Sequence, residues 1–216
     1  MNNRPGALWG SAGRPNAARV AAAGAALALA AGLAGCVTLF PKEKPIQLYR
    51  FDAAVQPIQA AGRSFSVRAT PTDFDPAAAG DRIMTVDGDE IAYVDSGRWS
   101  SAASQLFDEA VAHGFAAGGS AHLVGSSGKA DYRLHLTVSH FETRYTAGPT
   151  AAPTVVIAVR AALDRQSDLA PVASEKFEAQ VAASDNRLGA IVAAYDAAAT
   201  KVVGDLVAWV YEKGGG

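Results

Sequence analysis

The chain has 216 residues, of which 19 are basic and 21 acidic, so its formal net charge at pH 7 is −2. Proteins that bind nucleic acid normally carry a basic stripe or patch that neutralises phosphates, and the sequence contains no such stripe. A single cysteine cannot form an internal disulfide, so the fold must rest on its apolar core.

The first 35 residues have the pattern of an export signal. Residues 1–19 contain three arginines and no acidic residue, and residues 20–34 contain no charged residue at all. A basic segment followed by a short apolar segment is typical of a signal peptide, whereas a membrane-spanning helix needs about twenty apolar residues. We therefore expect residues 1–35 to be a signal peptide that is removed.

The apolar segment ends in Leu33-Ala34-Gly35-Cys36, which resembles the bacterial lipobox. In that pattern small residues fit the signal peptidase, and the cysteine thiol takes a diacylglyceryl group before cleavage. We predict that Cys36 is the lipid-modified first residue of the mature protein, held on the membrane by two or three acyl chains. The alternative is an ordinary signal peptide in which this cysteine is incidental.

The residue after Cys36 bears on which membrane holds the lipid. In the sorting pattern that this segment resembles, an aspartate there favours the inner membrane, whereas the sequence has Val37. We expect a lipid-anchored protein that faces the periplasm, on the outer membrane. Removal of the three signal-peptide arginines makes the mature net charge −5. Residues 36–47 are predicted to be the lipidated N-terminus and tether, and residues 48–213 a single domain.

The first part of this domain has the alternating pattern of β-strands. Apolar and polar residues alternate over residues 47–55 and 63–70, the period of a half-buried strand. Residues 83–86 and 91–94 flank Asp87-Gly88-Asp89-Glu90, whose Asp-Gly pair favours a β-hairpin. The three carboxylates of this turn indicate a solvated hairpin tip, the alternative being a weak calcium site.

The pattern then changes to the period of a helix. Apolar residues recur at intervals of three and four from Trp99 to Val111. Asp95 and Ser96 are the candidate caps of this helix, and Gly114 together with Gly118-Gly119 is predicted to end it.

Three strands and a long helix complete the predicted domain. Residues 131–142 and 154–163 are expected to form an antiparallel pair joined by a turn at 146–153, and residues 172–182 a strand with one exposed polar face. A continuous apolar stripe over residues 187–212 predicts an amphipathic helix. This order predicts an α+β fold, an antiparallel or mixed sheet with two amphipathic helices packed on one face.

No group of residues in the sequence meets the requirements of a catalytic centre. The stretch from Gly125 to Lys129 lacks the first glycine and the final Ser or Thr of a phosphate-binding loop. His135 and His140 are five residues apart on one predicted strand, so we expect them on opposite faces, where they cannot share a metal. The sequence therefore predicts a non-enzymatic protein with no metal and no cofactor.

Several segments, taken in order and spacing, resemble the ABC-type transport auxiliary lipoprotein family. These segments are the lipobox, the Leu48-Tyr49 strand start, residues 91–99 leading into a helix, the strand from Tyr132-Arg133-Leu134 to Phe141-Glu142, and the Ala-rich closing helix. Arg98-Trp99 is the most specific local element of the resemblance. We expect Trp99 to pack in the core, and Arg98 to pair with an acidic residue or contact a partner.

The resemblance implies a non-enzymatic accessory of an ABC-type intermembrane lipid transport system that moves phospholipid or organic solvent. Its implied partners are a mammalian-cell-entry (MCE) type substrate-binding protein, an ABC permease and the ATPase, with a homo-oligomeric ring as a further implication. Two other functions stay open on the residues alone. One is an outer-membrane assembly or structural lipoprotein unrelated to lipid transport, and the other is a lipid-anchored hydrolase that would use Ser126 or Ser127.

Overall fold

The computed structural model describes residues 45–57 and 62–215, and these residues form nine strands and two helices. In chain order the strands are β1 (Gln47–Tyr49), β2 (Phe65–Ala69), β3 (Asp73–Phe74), β4 (Arg82–Asp87), β5 (Glu90–Trp99), β6 (Ala121–Leu123), β7 (Tyr132–Tyr145), β8 (Thr154–Arg165) and β9 (Pro171–Ala182). Helix α1 (Ala103–Ala116) follows β5, and helix α2 (Leu188–Gly214) follows β9. The predicted signal peptide and Cys36 lie outside the described residues.

Strand β7 organises one mixed sheet. Along one edge β7 pairs with β8 in antiparallel fashion over nearly its whole length, and β8 pairs with β9 in the same way. Along its other edge β7 pairs in parallel with β2, β3 and β4 in succession. Strand β5 joins β4, β1 joins β5 and β6 joins β2. The predicted α+β fold with a mixed sheet is confirmed.

Both predicted hairpins are present. Asp87 and Glu90 are register partners, so β4 and β5 are joined by a two-residue loop. Gly88, the first of the two loop residues, has φ +59°. A positive φ at that position is the feature of a type II′ turn, which glycine adopts without steric cost. Strands β7 and β8 form the predicted antiparallel pair, with residues 146–153 as their connection.

A β-bulge in β7 overturns one expectation from the sequence. Val138 pairs with Val159 and His140 pairs with Ala158, so Ser139 is an extra residue that the partner strand does not match. The bulge shifts the alternation of side chains by one residue. His135 and His140 therefore lie on the same, outer face of the sheet, and the prediction of opposite faces was wrong.

Helix α1 begins later than the sequence predicted. Trp99, expected as the first apolar residue of the helix, is the last residue of β5. Asp95 and Ser96, the expected caps, lie within the same strand. The residue in the cap position is Ala102, which makes no side-chain hydrogen bond to the helix. The predicted caps were therefore wrong, because β5 continues for three residues beyond Ser96.

Carbonyl groups from a loop distant in the sequence accept hydrogen bonds from the first backbone N–H groups of α1. The backbone N–H groups of Ala103 and Ser104 donate to the carbonyl oxygens of Gly80 and Ala79, over 2.9 and 3.3 Å. The first N–H groups of a helix have no acceptor within the helix, so such a loop replaces a capping side chain. The sequence pattern near the helix contains no sign of this arrangement.

The two helices pack on one face of the sheet and against each other. On α1, Gly114 was expected to end the helix but lies inside it, where an added Cβ would come within 2.7 Å of Val203 on α2. Phe107 of α1 meets Phe74 of β3, with ring centroids 6.1 Å apart. Helix α2 follows the predicted stripe closely. Within the described residues, no helix has both the length and the apolar character of a membrane span.

Candidate functional site

The described chain begins close to the predicted lipid anchor. Pro45 is nine residues after Cys36, which lies outside the described residues. Strand β1 follows directly and, among the described strands, pairs only with β5, so it forms an outer edge of the described sheet. Ile46 and Leu48 on this segment are 53% and 68% exposed. The N-terminal end of the described domain is therefore an edge strand that carries exposed apolar side chains.

The motif Arg98-Trp99 lies beside this edge, at the end of β5. In the register of β1 and β5, Leu48 is opposite Arg98 and Tyr49 is opposite Trp99. Neighbouring residues of a strand point to opposite faces of the sheet, so the two motif residues have different surroundings. Trp99 therefore lies on the inner face of the sheet, toward the core, and Arg98 lies on the outer face.

Trp99 packs in the core, as the sequence predicted. It is 2% exposed, and its ring makes edge contacts with Phe51 and Tyr195, at centroid distances of 5.3 and 5.0 Å. Phe141 lies against the same three rings. Aromatic pairs in this geometry add about 0.5–1.5 kcal/mol each beyond the burial of their surface. This aromatic cluster of Phe51, Trp99, Phe141 and Tyr195 ties the N-terminal segment, β5, β7 and α2 together.

Arg98 is half-buried and bonded to the backbone of its own strand. Its Nη1 donates to the carbonyl oxygens of Val94 and Gly97, at 2.8 and 3.0 Å. No carboxylate oxygen of the described residues lies within 4.0 Å of its guanidinium, so the expected pairing with an acidic residue is not seen there. The positive charge of Arg98 is therefore held in place without being neutralised.

The two residues of the Phe141-Glu142 pair also point to opposite faces of the sheet. Phe141 belongs to the aromatic cluster, while the carboxylate of Glu142 lies on the outer face, 3.0 Å from Nε of Arg144 and 3.5 Å from Nδ1 of His140. Next along the strand, the buried hydroxyl of Thr143 donates to the hydroxyl of Tyr195 over 3.2 Å. Burial raises the pKa of Tyr195 well above its usual value, so this phenol stays neutral.

The residues considered for hydrolysis are not brought together. Ser126 and Ser127 occupy an exposed turn closed by a bond from the Gly128 N–H to the Gly125 carbonyl, 3.0 Å long. Within the described residues, a different serine lies within 3.5 Å of a histidine ring.

That pair is Ser64 and His122, whose Oγ and Nε2 atoms are 3.1 Å apart in an exposed position. The parallel pairing of β2 and β6 brings them together although 58 residues separate them. Sequence reasoning missed this pair because its members are distant in the chain. In the part of the chain that the structure describes, no three residues among His, Cys, Asp and Glu are grouped as a metal site.

Fold and site together define an α+β domain. Its Arg98-Trp99 motif lies beside the N-terminal edge strand β1, with Trp99 in the core. The model of a known family, the ABC-type transport auxiliary lipoprotein component, matches residues 48–207, from β1 into α2. The chain belongs to this family. Membership associates it with an ABC-type transport system and with the cell envelope.

Solved structures share the fold. The crystal structure of protein XCC0632 from Xanthomonas campestris is 24% identical, with a TM-score of 0.72, and the match covers 78% of this chain and 96% of that one. An uncharacterized protein matches with a TM-score of 0.56 at 13% identity, over 78% and 97% of the two chains. At these identities the similarity concerns the fold alone. A search of curated protein sequences found no match.

Proposed function

We propose that this chain is a non-enzymatic accessory lipoprotein of an ABC-type intermembrane lipid transport system, which moves phospholipid or organic solvent. Cys36 carries the lipid, and the domain faces the periplasm from the outer membrane. The observation that carries the proposal is the family match over residues 48–207, which spans the described domain from its first strand into its last helix.

The interior of the domain supports a binding role rather than a catalytic one. The motif residue Trp99 and its neighbours Phe141 and Tyr195 fill the space between sheet and helices with close-packed rings. A rigid domain on a lipid anchor can hold other proteins in position at a membrane. In this proposal the ATPase subunit uses ATP, the permease and an MCE-type substrate-binding protein handle the lipid, and this chain joins them to the outer membrane.

Affinity purification after crosslinking in the periplasm tests the proposal. A chain tagged at its C-terminus should recover the MCE-type protein, the permease and the ATPase from solubilised membranes. The matched control is Cys36→Ser exported with a signal peptide of the ordinary, non-lipoprotein type, which keeps the whole domain, removes the anchor and should recover less of all three. Recovery of outer-membrane assembly proteins without any transport component would contradict the proposal and favour an assembly or structural lipoprotein.

The genes beside this one offer an independent test. An accessory of this transport system should be encoded next to a permease, an ATPase and an MCE-type protein. A lipoprotein of outer-membrane assembly has no reason to share that neighbourhood. Absence of all three neighbours, together with failure of the purification, would end the proposal.

A further inference from the structure

An exposed patch on the outer face of the sheet combines apolar side chains with arginines. Arg98 is the register partner of Leu48 on β1 and of Arg82 on β4. Register partners share a face of the sheet, and Trp99 occupies the inner face, so these three side chains lie together on the outer face. Ile46, two residues before Leu48, adjoins them. We name Ile46, Leu48, Arg82 and Arg98 the β1 patch.

The apolar members of the β1 patch are open to solvent. Leu48 is 68% exposed and Ile46 is 53% exposed, on a strand that has a partner on one side only. Isolated apolar residues on a protein surface are ordinary. Here two of them are adjacent, at the N-terminal end of the domain, and they border two cationic side chains.

The arginines of the β1 patch retain their charge. The Arg82 guanidinium carbon lies 3.6 Å from the ring centroid of Tyr93, and such stacking holds a cation in place without neutralising it. Within residues 45–57 and 62–215, no carboxylate oxygen lies within 4.0 Å of Arg82 or Arg98. This holds even for Asp81, the direct neighbour of Arg82. Two unpaired cations on a protein with a mature charge of −5 point to an anionic contact.

The position of the anchor indicates what this contact is. Residues 37–44 separate the lipid-modified cysteine from Pro45, and the nine-residue step from Cys36 to Pro45 can span at most roughly 30 Å when fully extended. The β1 patch therefore stays within roughly 30 Å of the bilayer surface. Attachment at such short range raises the effective concentration of the patch at the lipid headgroups.

We propose that the β1 patch lies on the anionic phospholipid surface of the membrane that holds Cys36. Leu48 and Ile46 enter the boundary between headgroups and acyl chains, and Arg82 and Arg98 bind the phosphate groups. The contact fixes the orientation of the domain on its tether, so that β1 faces the lipid. This inference rests on the anchor in the proposed function, and the experiment below separates the two.

Fluorescence quenching by lipids provides the test. The full lipidated protein is placed on vesicles of phosphatidylethanolamine and phosphatidylglycerol, with Leu48→Cys carrying a fluorescent label. The acylated Cys36 has no free thiol, so the label attaches only at the introduced cysteine. Ile91→Cys is the matched control, because Ile91 is also an exposed apolar residue of the sheet, at 55%, but lies next to the β4–β5 hairpin tip.

We expect lipids with a nitroxide on the acyl chain to quench the label at position 48 several-fold more strongly than the label at position 91. Arg82→Gln combined with Arg98→Gln, or replacement of the anionic lipid by phosphatidylcholine, should remove most of this difference. Equal quenching at both positions, on protein that floats with the vesicles, would overturn the inference and leave the anchor intact. Failure to float would overturn the anchor at Cys36, and the inference with it.

Discussion

The indole ring of Trp99 meets the phenol ring of Tyr195 edge to face, with centroids 5.0 Å apart and planes inclined by 86°. This contact joins the last residue of β5 to helix α2, the C-terminal element of the domain. The helix is 27 residues long, and its apolar side packs on residues of the sheet such as Trp99. The motif residue therefore stabilises the fold, while its neighbour Arg98 faces outward.

Replacement of Trp99 by alanine should lower the free energy of unfolding by about 3–5 kcal/mol, because it removes a fully buried aromatic ring and leaves a cavity. Trp99→Phe should cost less, since it keeps part of the ring contact. The matched control is Arg98→Ala, which should cost under about 1 kcal/mol because it removes only bonds to its own strand. Urea unfolding followed by circular dichroism measures all three. Equal losses for Trp99→Ala and Arg98→Ala would contradict this division of roles.

The buried hydroxyl pair behind Trp99 should behave as a coupled unit. Thr143 and Tyr195 are both fully buried, and the Thr143 hydroxyl donates to that of Tyr195. Tyr195→Phe or Thr143→Val alone leaves one buried hydroxyl without its partner, at a cost of about 1–3 kcal/mol. The double variant should be more stable than the sum of the two single losses predicts. Strict additivity in a double-mutant cycle would show that the bond does not contribute.

The long elements of this fold could be predicted from the sequence because their patterns are local. Strands β8 and β9 and helix α2 begin and end within about two residues of the predicted bounds, since each shows an uninterrupted alternation or stripe. Strands β3 and β6 have two and three residues, too few to show a period, and they form because β7 and β2 offer them backbone partners.

Other features depend on contacts that no sequence period records. Trp99 continued the apolar spacing of α1, yet the parallel pairing with Tyr49 on β1 keeps it in β5. The bulge at Ser139 places His135 and His140 on the same face of the sheet. The alternation of residues before Ser139 does not indicate this extra residue. For the candidate site, the resemblance identified Arg98 and Trp99, and the apolar spacing predicted that Trp99 packs in the core. The edge position of Leu48 beside Arg98 needed the sheet register.

Two aspartates should give opposite dependences of stability on pH. Oδ2 of Asp131 accepts hydrogen bonds from the backbone N–H and the hydroxyl of Ser66, both 2.8 Å long, and these bonds hold the pKa of Asp131 below its usual value. A lowered folded-state pKa adds stability above the unfolded value of about 3.9. That contribution is lost as the pH falls through the folded pKa.

For Asp108 the sign is reversed. Partial burial raises its pKa, and the hydrogen bond from the Thr72 hydroxyl opposes this only in part. Ionised Asp108 therefore lowers stability at neutral pH, and this cost disappears as the pH falls through the folded pKa to the unfolded one. Asp131→Asn should destabilise the protein near pH 7 and much less near about pH 3, whereas Asp108→Asn should be neutral or stabilising near pH 7. Urea unfolding at both pH values decides, and identical behaviour of the two variants would refute the assignment.

Stable attachment to the membrane should require the lipid on Cys36. Within the described residues the buried core begins at Phe51, so loss of the lipid removes no packing contact of that core. Exported with a signal peptide of the ordinary, non-lipoprotein type in place of residues 1–35, Cys36→Ser should therefore move the protein from the membrane to the soluble periplasmic fraction, with an unchanged melting temperature by circular dichroism. The matched control is Val37→Asp, which keeps the acylated cysteine and should remain membrane-bound while moving to inner-membrane density in a sucrose gradient. If Cys36→Ser still sediments with membranes, the β1 patch or a bound partner holds the domain there, and lipid is not the anchor.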